Sequence, residues 1–168
     1  ASDKLTTIRV PFCLRPLSDV ASDGSLVVSV THGPGGTGPW RVAVVRPVGD
    51  TVFAIDVPVR RIPITPQFAD SVIQAMSRPG STADRALLKR VRLLMPRFFP
   101  GFSEVLLGED GTVWLREGAG SHLVITASGA VHGRVTLPPG FKALASSIAG
   151  VWGTEACEPD GVCLVYYQ

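Results

Sequence analysis

Charge is scarce in this sequence: Asp, Glu, Lys and Arg make up 18% of its residues, and the formal net charge is +2. A chain that stays disordered is rich in charge and poor in apolar residues, whereas 45% of this one is hydrophobic, so a packed core is expected. The small net charge gives no electrostatic footprint for DNA or RNA, and no nucleic-acid partner is expected. Long apolar runs are also missing. None approaches the roughly 18 residues that a membrane-spanning helix needs. No basic-then-apolar leader opens the chain, which is compatible with Ala1 as a mature start after signal cleavage or as a boundary within a longer chain. Only three cysteines are present, no serine sits in a Gly-x-Ser-x-Gly elbow, and no pair of His or Cys has metal-ligand spacing. No catalytic residue, metal ligand or cofactor is therefore expected.

Turn-formers are plentiful. Glycine (18) and proline (14) are spread along the 168 residues between short apolar runs, the pattern of many short strands joined by tight turns. One motif recurs. Its first copy runs Ile8-Arg9-Val10-Pro11-Phe12, then Leu17 to Gly24, then Leu26 to Val30. Its second runs Phe99 to Val105, through Glu109-Asp110-Gly111, to Val113-Trp114-Leu115. A weaker third runs Val135 to Leu144 and then Ile148 to Trp152. Each has a proline-marked entry, a short strand, a turn ending in glycine and an apolar strand. Glycine after Asp supplies the positive φ of a tight hairpin. Two copies continue into further strand pairs, Arg41–Val45 with Thr51–Val57 and His122–Thr126 with Ala130–Leu137. Four short antiparallel strands per unit, at a period near 40 residues, are the plan of a propeller blade.

The expectation is thus an all-β chain, 1–168, read as one β domain. It holds short antiparallel four-stranded units, as in a partial β-propeller of about three blades, with a β-sandwich or barrel as the alternative. The strand Thr6–Val10 is a candidate for the missing outer strand of the last blade. A helical insertion is expected near 65–95. Thr65 caps its first helix with Pro66 at the first position, and Pro79-Gly80 ends it. A second helix starts at Ser81 or Thr82 and runs to about Met95, with Leu87, Leu88, Val91, Leu94 and Met95 on its apolar side.

The insertion also carries the charge. Between Arg60 and Arg97 lie eight basic residues against Asp70 and Asp84, so that segment is +6 in a chain otherwise −4. Arg78, Arg85, Lys89, Arg92 and Arg97 are the candidate partner-binding residues, because Arg85, Lys89 and Arg92 share one helix side. The alternative is a solvated basic face with no partner. Cys157 and Cys163 bracket the turn sequence Glu-Pro-Asp-Gly-Val between two β-prone runs. A disulfide across that hairpin is expected, with two buried free thiols as the alternative. A bridge would place the chain in an oxidising compartment, periplasmic or extracellular. Cys13 is left over, between Phe12 and Leu14.

The runs Gly49-Asp50-Thr51-Val52 through Pro63-Ile64-Thr65, Phe102-Ser103 through Trp114-Leu115-Arg116, and Val135-Thr136-Leu137-Pro138-Pro139-Gly140-Phe141 through Gly150-Val151-Trp152 resemble bacterial six-bladed β-propeller proteins. Those are related to the gluconolactonase-like and NHL-like propellers, and the chain looks like the C-terminal half of one. The resemblance implies a central channel, which lactonase-like members line with metal-binding carboxylates and asparagines. This chain has no asparagine, so no metal ligand carries over. Asp19, Asp23, Glu104 and Asp110 are the nearest acidic candidates. Asp23 and Asp110 precede glycine and read as turn residues, while Asp19 and Glu104 occupy matching places in two repeats. His32, His122 and His132 are scattered, and the Gly-rich run around His32 lacks the lysine of a phosphate loop. Trp40, Trp114 and Trp152 read as core.

Two functions follow as expectations. The first is a non-catalytic interaction or structural module, an exported accessory subunit that docks on and stabilises a larger protein assembly, membrane-bound or not. Its partner is another subunit or a second copy, and an anionic membrane surface suits the basic residues. The alternative is a metal-dependent, lactonase- or hydrolase-like propeller enzyme acting as an oligomer.

Overall fold

A computed structural model describes residues 10–12, 14–33, 38–76, 82–118, 120–157 and 161–168, with backbone alone for 82–87. The chain divides into two compact units, Ala1–Leu14 with Arg60–Pro100, and Arg15–Val59 with Gly101–Gln168.

The larger unit is all β. Strands β1 (Leu17–Val20), β2 (Val27–His32), β3 (Trp40–Val45) and β4 (Thr51–Val57) form one antiparallel sheet in chain order. Strands β5 (Glu104–Leu107), β6 (Val113–Arg116), β7 (Ser121–Ile125) and β8 (Val131–Thr136) form a second sheet in the same way. A third sheet has three strands, β9 (Lys142–Ser147), β10 (Gly150–Cys157) and β11 (Gly161–Tyr167). The four-stranded units and the three-stranded third unit match the expectation. The proposed extra strand Thr6–Val10 lies outside the described residues apart from Val10.

Three hairpins share one turn. In each, the N–H before the loop donates to the C=O after it, and the loop's glycine N–H donates back. The pairs are Arg46 to Asp50 with Gly49 to Arg46, Gly108 to Thr112 with Gly111 to Gly108, and Thr126 to Ala130 with Gly129 to Thr126. This is the three-residue loop that needs a left-handed residue at its third position. Gly129 has φ 84° and a second constraint: a Cβ there would sit 3.0 Å from the Phe53 ring.

The first strands of successive sheets lie side by side, β1 beside β5 and β5 beside β9. Register then assigns the faces, because residues directly opposite in an antiparallel ladder share a face. On the first sheet, Val28, Val30, Val42, Val44 and Phe53 share one face and are buried. On the second, Leu107, Val113, Leu115, Leu123 and Ile125 share the face turned to the first sheet and are buried. The second sheet's other face, with Leu106, Trp114, Val124 and Val135, packs on Ala143, Val151, Val165 and Tyr167 of the third. The forward faces of the first and second sheets are thus each covered by the back face of the next. The middle sheet is covered on both sides, which is why Val113, Trp114 and Leu115 are buried consecutively. β2, in an end sheet, keeps the period-2 alternation.

Polar contacts pin the stack. The Asp19 carboxylate accepts the Leu107 N–H at 2.8 Å, and Asp110 accepts the Ile148 N–H at 2.7 Å. The Trp114 indole donates to the Ser147 carbonyl at 3.3 Å.

In the smaller unit, α1 (Pro66–Met76) and α2 (Thr82–Leu94) form the expected helical insertion. The Thr65 hydroxyl accepts the Phe68 N–H at 3.2 Å, as a cap should. Phe12, Phe68 and Phe99 form a three-ring cluster with centroids 5.1–5.8 Å apart. Of the expected apolar side of α2, Val91 is buried, while Leu88 and Met95 are half-buried. Leu94 departs from the expectation. It is exposed with Leu93 in the last helical turn, where the helix ends before Leu94 reaches cover.

Candidate functional site

The predicted basic residues are only partly brought together. Lys89, Arg92 and Arg97 are exposed. Arg92 is already committed to Asp70 of α1, at 3.1 Å, which ties one helix to the other. Arg85 lies on α2 with its side chain outside the described residues, and Arg78 lies outside them altogether, as does Cys13.

The Cys157–Cys163 disulfide is present, with a Cα–Cα distance of 5.8 Å. The two cysteines are diagonal rather than directly opposite. Cys157 faces Gly161 and Cys163 faces Glu155, and the side-chain lean along the strands closes the remaining gap.

The acidic candidates all have structural occupations. Asp23 accepts the Ser25 N–H at 2.9 Å in its turn, and that bond holds its carboxyl below the usual range. Asp110 accepts from Thr112 within its own turn and from Ile148 in the next sheet. Asp19 and Glu104 are not matched in the ladders. Counting back from the hairpins, Val20 corresponds to Leu107, so Glu104 corresponds to Leu17 and Asp19 to Leu106. The two carboxylates therefore do different things. Asp19 ties β1 to β5, and Glu104 pairs with Arg116 at 2.9 Å. Among the described residues, no three His, Cys, Asp or Glu side chains come together as a metal cage.

Sequence reasoning did not find a 250 Å³ cleft between the second and third sheets, lined by Glu104, Leu106, Trp114, Arg116, His122 and Lys142 among others. One ladder row builds its polar side, since Glu104 faces Arg116 and Arg116 faces His122. Arg116 is held at both ends, by Glu104 and by the Gly118 carbonyl at 3.2 Å. His122 is buried, and burial keeps its imidazole below the ordinary histidine range despite the Gly120 carbonyl 3.3 Å from Nδ1. A neutral imidazole with one nitrogen on a carbonyl leaves the other able to accept a proton. Among the described residues the lining holds no Ser, Thr or Cys.

His32 lies against Trp40 with ring centroids 5.0 Å apart and the planes tilted by 57°. His132 lies in β8, and neither histidine joins His122.

The other feature is apolar. The forward face of the third sheet carries Trp152 (48% exposed), Val162 (76%), Leu164 (66%) and Tyr166 (36%). Trp152 stands opposite Tyr166 with ring centroids 4.7 Å apart, and Leu144 extends the patch at the bulge in β9. The sequence reading placed Trp40, Trp114 and Trp152 in the core. Trp40 and Trp114 are there, whereas Trp152 is half out of it. The uninterrupted apolar run Val162-Cys163-Leu164-Val165-Tyr166-Tyr167 was the available signal: a strand apolar on both faces asks for cover on both. Comparison with protein-family models, curated proteins and solved structures finds no match.

Proposed function

We propose that this chain is a non-catalytic interaction or structural module, an exported accessory subunit that docks on and stabilises a larger protein assembly. The observation that carries the reading is the forward face of the third sheet. Trp152, Val162, Leu164 and Tyr166 form a contiguous apolar surface on a rigid, disulfide-stapled hairpin. Monomeric proteins rarely leave such patches uncovered, and rigid aromatic side chains are favoured anchors in interfaces. The disulfide supports export. Among the described residues no helix is long and apolar enough to cross a membrane. A partial propeller is the architecture that fits consecutive antiparallel sheets with neighbouring first strands.

The exposed basic heads of Lys89 and Arg97 add a second, electrostatic element. They speed encounter with an acidic surface rather than hold it. The test is co-purification from soluble and membrane fractions, comparing the parent with Trp152→Ser/Leu164→Ser and with Lys89→Glu/Arg97→Glu. Circular dichroism confirms folding of each. The reading expects the apolar-face variant to lose the partner at all salt concentrations, and the charge variant to weaken it mainly at low salt. Retention of every partner by the folded apolar-face variant defeats it.

A further inference from the structure

We infer that the outward face of α2 docks on a bilayer surface rich in anionic headgroups, with Leu93 and Leu94 entering the acyl boundary and Lys89, Arg90 and Arg97 engaging the headgroups around them. The inference rests on the electrostatic element of the reading above, and it names the acidic surface that those basic heads meet.

The helix itself shows which face is free. Leu88 and Val91 lie one turn apart and turn inward, Val91 buried and Leu88 half-buried. Arg92 borders that inner side, where it pairs with Asp70 of α1 at 3.1 Å. At about 3.6 residues per turn, Lys89, Arg90, Leu93 and Leu94 then fall together on the opposite side. All four are exposed. Lys89 stands one turn before Leu93, and Arg90 one turn before Leu94, so each leucine has a cation beside it. Arg97 is exposed just beyond the helix end.

Folding gives these leucines little to do. Leu93 is 84% exposed and Leu94 60%, so neither holds the helix to its unit. Helix propensity does not call for them, because Lys, Arg or Gln serves as well at a wet position. Single surface leucines are ordinary, but two neighbours on one helix turn with cations beside both are the composition of a membrane-interface contact.

Charge selects the occupant. Between Arg60 and Arg97 lie eight basic residues against two acidic ones, and one of those two, Asp70, is taken by Arg92. Among the described residues, Lys89, Arg90 and Arg97 have no ion-pair partner. Anionic headgroups supply the missing counter-charge, and the apolar layer directly beneath them receives the leucines. Long Lys and Arg stems let the charged heads stay at headgroup level while the leucines reach deeper. Acyl chains rearrange around two protruding side chains, whereas a folded protein would need a matching pocket. Apolar burial and electrostatic attraction add, and an anchor this small needs both.

Vesicle flotation of the full chain tests this, with phosphatidylcholine alone and with phosphatidylcholine and phosphatidylglycerol in equal amounts. The parent should float with the mixed vesicles and stay behind with phosphatidylcholine alone. Molar salt, which shortens the screening length to about 3 Å, should largely release it. Lys89→Gln/Arg90→Gln should lower the partition coefficient by roughly tenfold or more, since each cation near an anionic surface contributes roughly fivefold. Leu93→Ser/Leu94→Ser should lower it by roughly tenfold or more as well. Both pairs are exposed, so folding should persist, and circular dichroism confirms it. Trp152→Ser/Leu164→Ser should float as the parent does.

A parent that floats with neither vesicle, or equally with both, overturns the inference. So does a folded leucine or charge variant that floats like the parent. Loss of flotation in the Trp152→Ser/Leu164→Ser variant would move the contact to the third sheet and overturn it too. If the parent does not float but Lys89→Glu/Arg97→Glu still loses a protein on co-purification, the acidic surface is a protein, and the docking reading stands without this inference.

Discussion

Replacing Asp19 by alanine tests how the stack is held at its inner edge. β1 and β5 are the edge strands of neighbouring sheets and lie side by side. An edge strand presents N–H groups that no ladder satisfies. The Leu107 N–H is one of these, and its partner is the Asp19 carboxylate at 2.8 Å. Leu107 itself is buried, so water cannot readily replace the lost acceptor. An unpaired buried donor costs about 1–3 kcal/mol, and a bond to a charged acceptor is worth about 1.5–3 kcal/mol. Asp19 is half-exposed, which screens its charge and places the expected loss for Asp19→Ala at about 1–2 kcal/mol. Asp19→Asn keeps a carbonyl acceptor at the same reach and should lose less than half as much. Urea unfolding followed by tryptophan fluorescence is the assay. Trp40, Trp114 and Trp152 all lie in the larger unit, so the signal reports that unit alone. Equal losses for the two variants, or no loss for alanine, would refute the claim that this hydrogen bond joins the sheets.

Thiol counting on denatured, unreduced protein should find one free thiol, that of Cys13, and Cys157→Ser/Cys163→Ser should lower the urea midpoint by the equivalent of about 2 kcal/mol for so short a loop. Gly129→Ala should destabilise more than Gly49→Ala. Both positions have positive φ, but only Gly129 abuts Phe53, so the difference in unfolding free energy isolates the packing clash from a backbone cost of about 1–2 kcal/mol. His122 is buried and its folded pKa is lowered from 6.5. The unfolded chain therefore binds more protons below that value, and stability present above it is lost as pH falls from 6.5 toward the folded pKa. His122→Gln should flatten that part of the stability–pH curve, and an unchanged slope would show that His122 does not titrate differently in the two states.

Most of the fold was legible because local chemistry decided it. Asp110-Gly111 and Ser128-Gly129 mark loops that require a left-handed residue, and Thr65-Pro66 marks a helix start whatever surrounds it. The disulfide was legible as a hairpin, but its diagonal register was not, since ladder register depends on pairing along the whole strand. The repeat alignment misplaced Glu104 for a related reason: it matched composition around a turn, whereas hydrogen bonds count residues back from that turn. The cleft at His122 was invisible because Glu104, Arg116 and His122 meet only when three strands pair, and Lys142 only when the next sheet packs on them. The exposed face of the third sheet was misjudged differently. Val113-Trp114-Leu115 and Val151-Trp152-Gly153 look alike as sequence, and both suggest a strand buried on two sides. Burial on the second side belongs to the neighbour, not to the strand. Trp114 has the third sheet over it, whereas Trp152 faces outward with no further sheet over it among the described residues. Similar strand chemistry at a covered and an uncovered position is what sheets of a repeating stack show when only one of them has a neighbour on its second side.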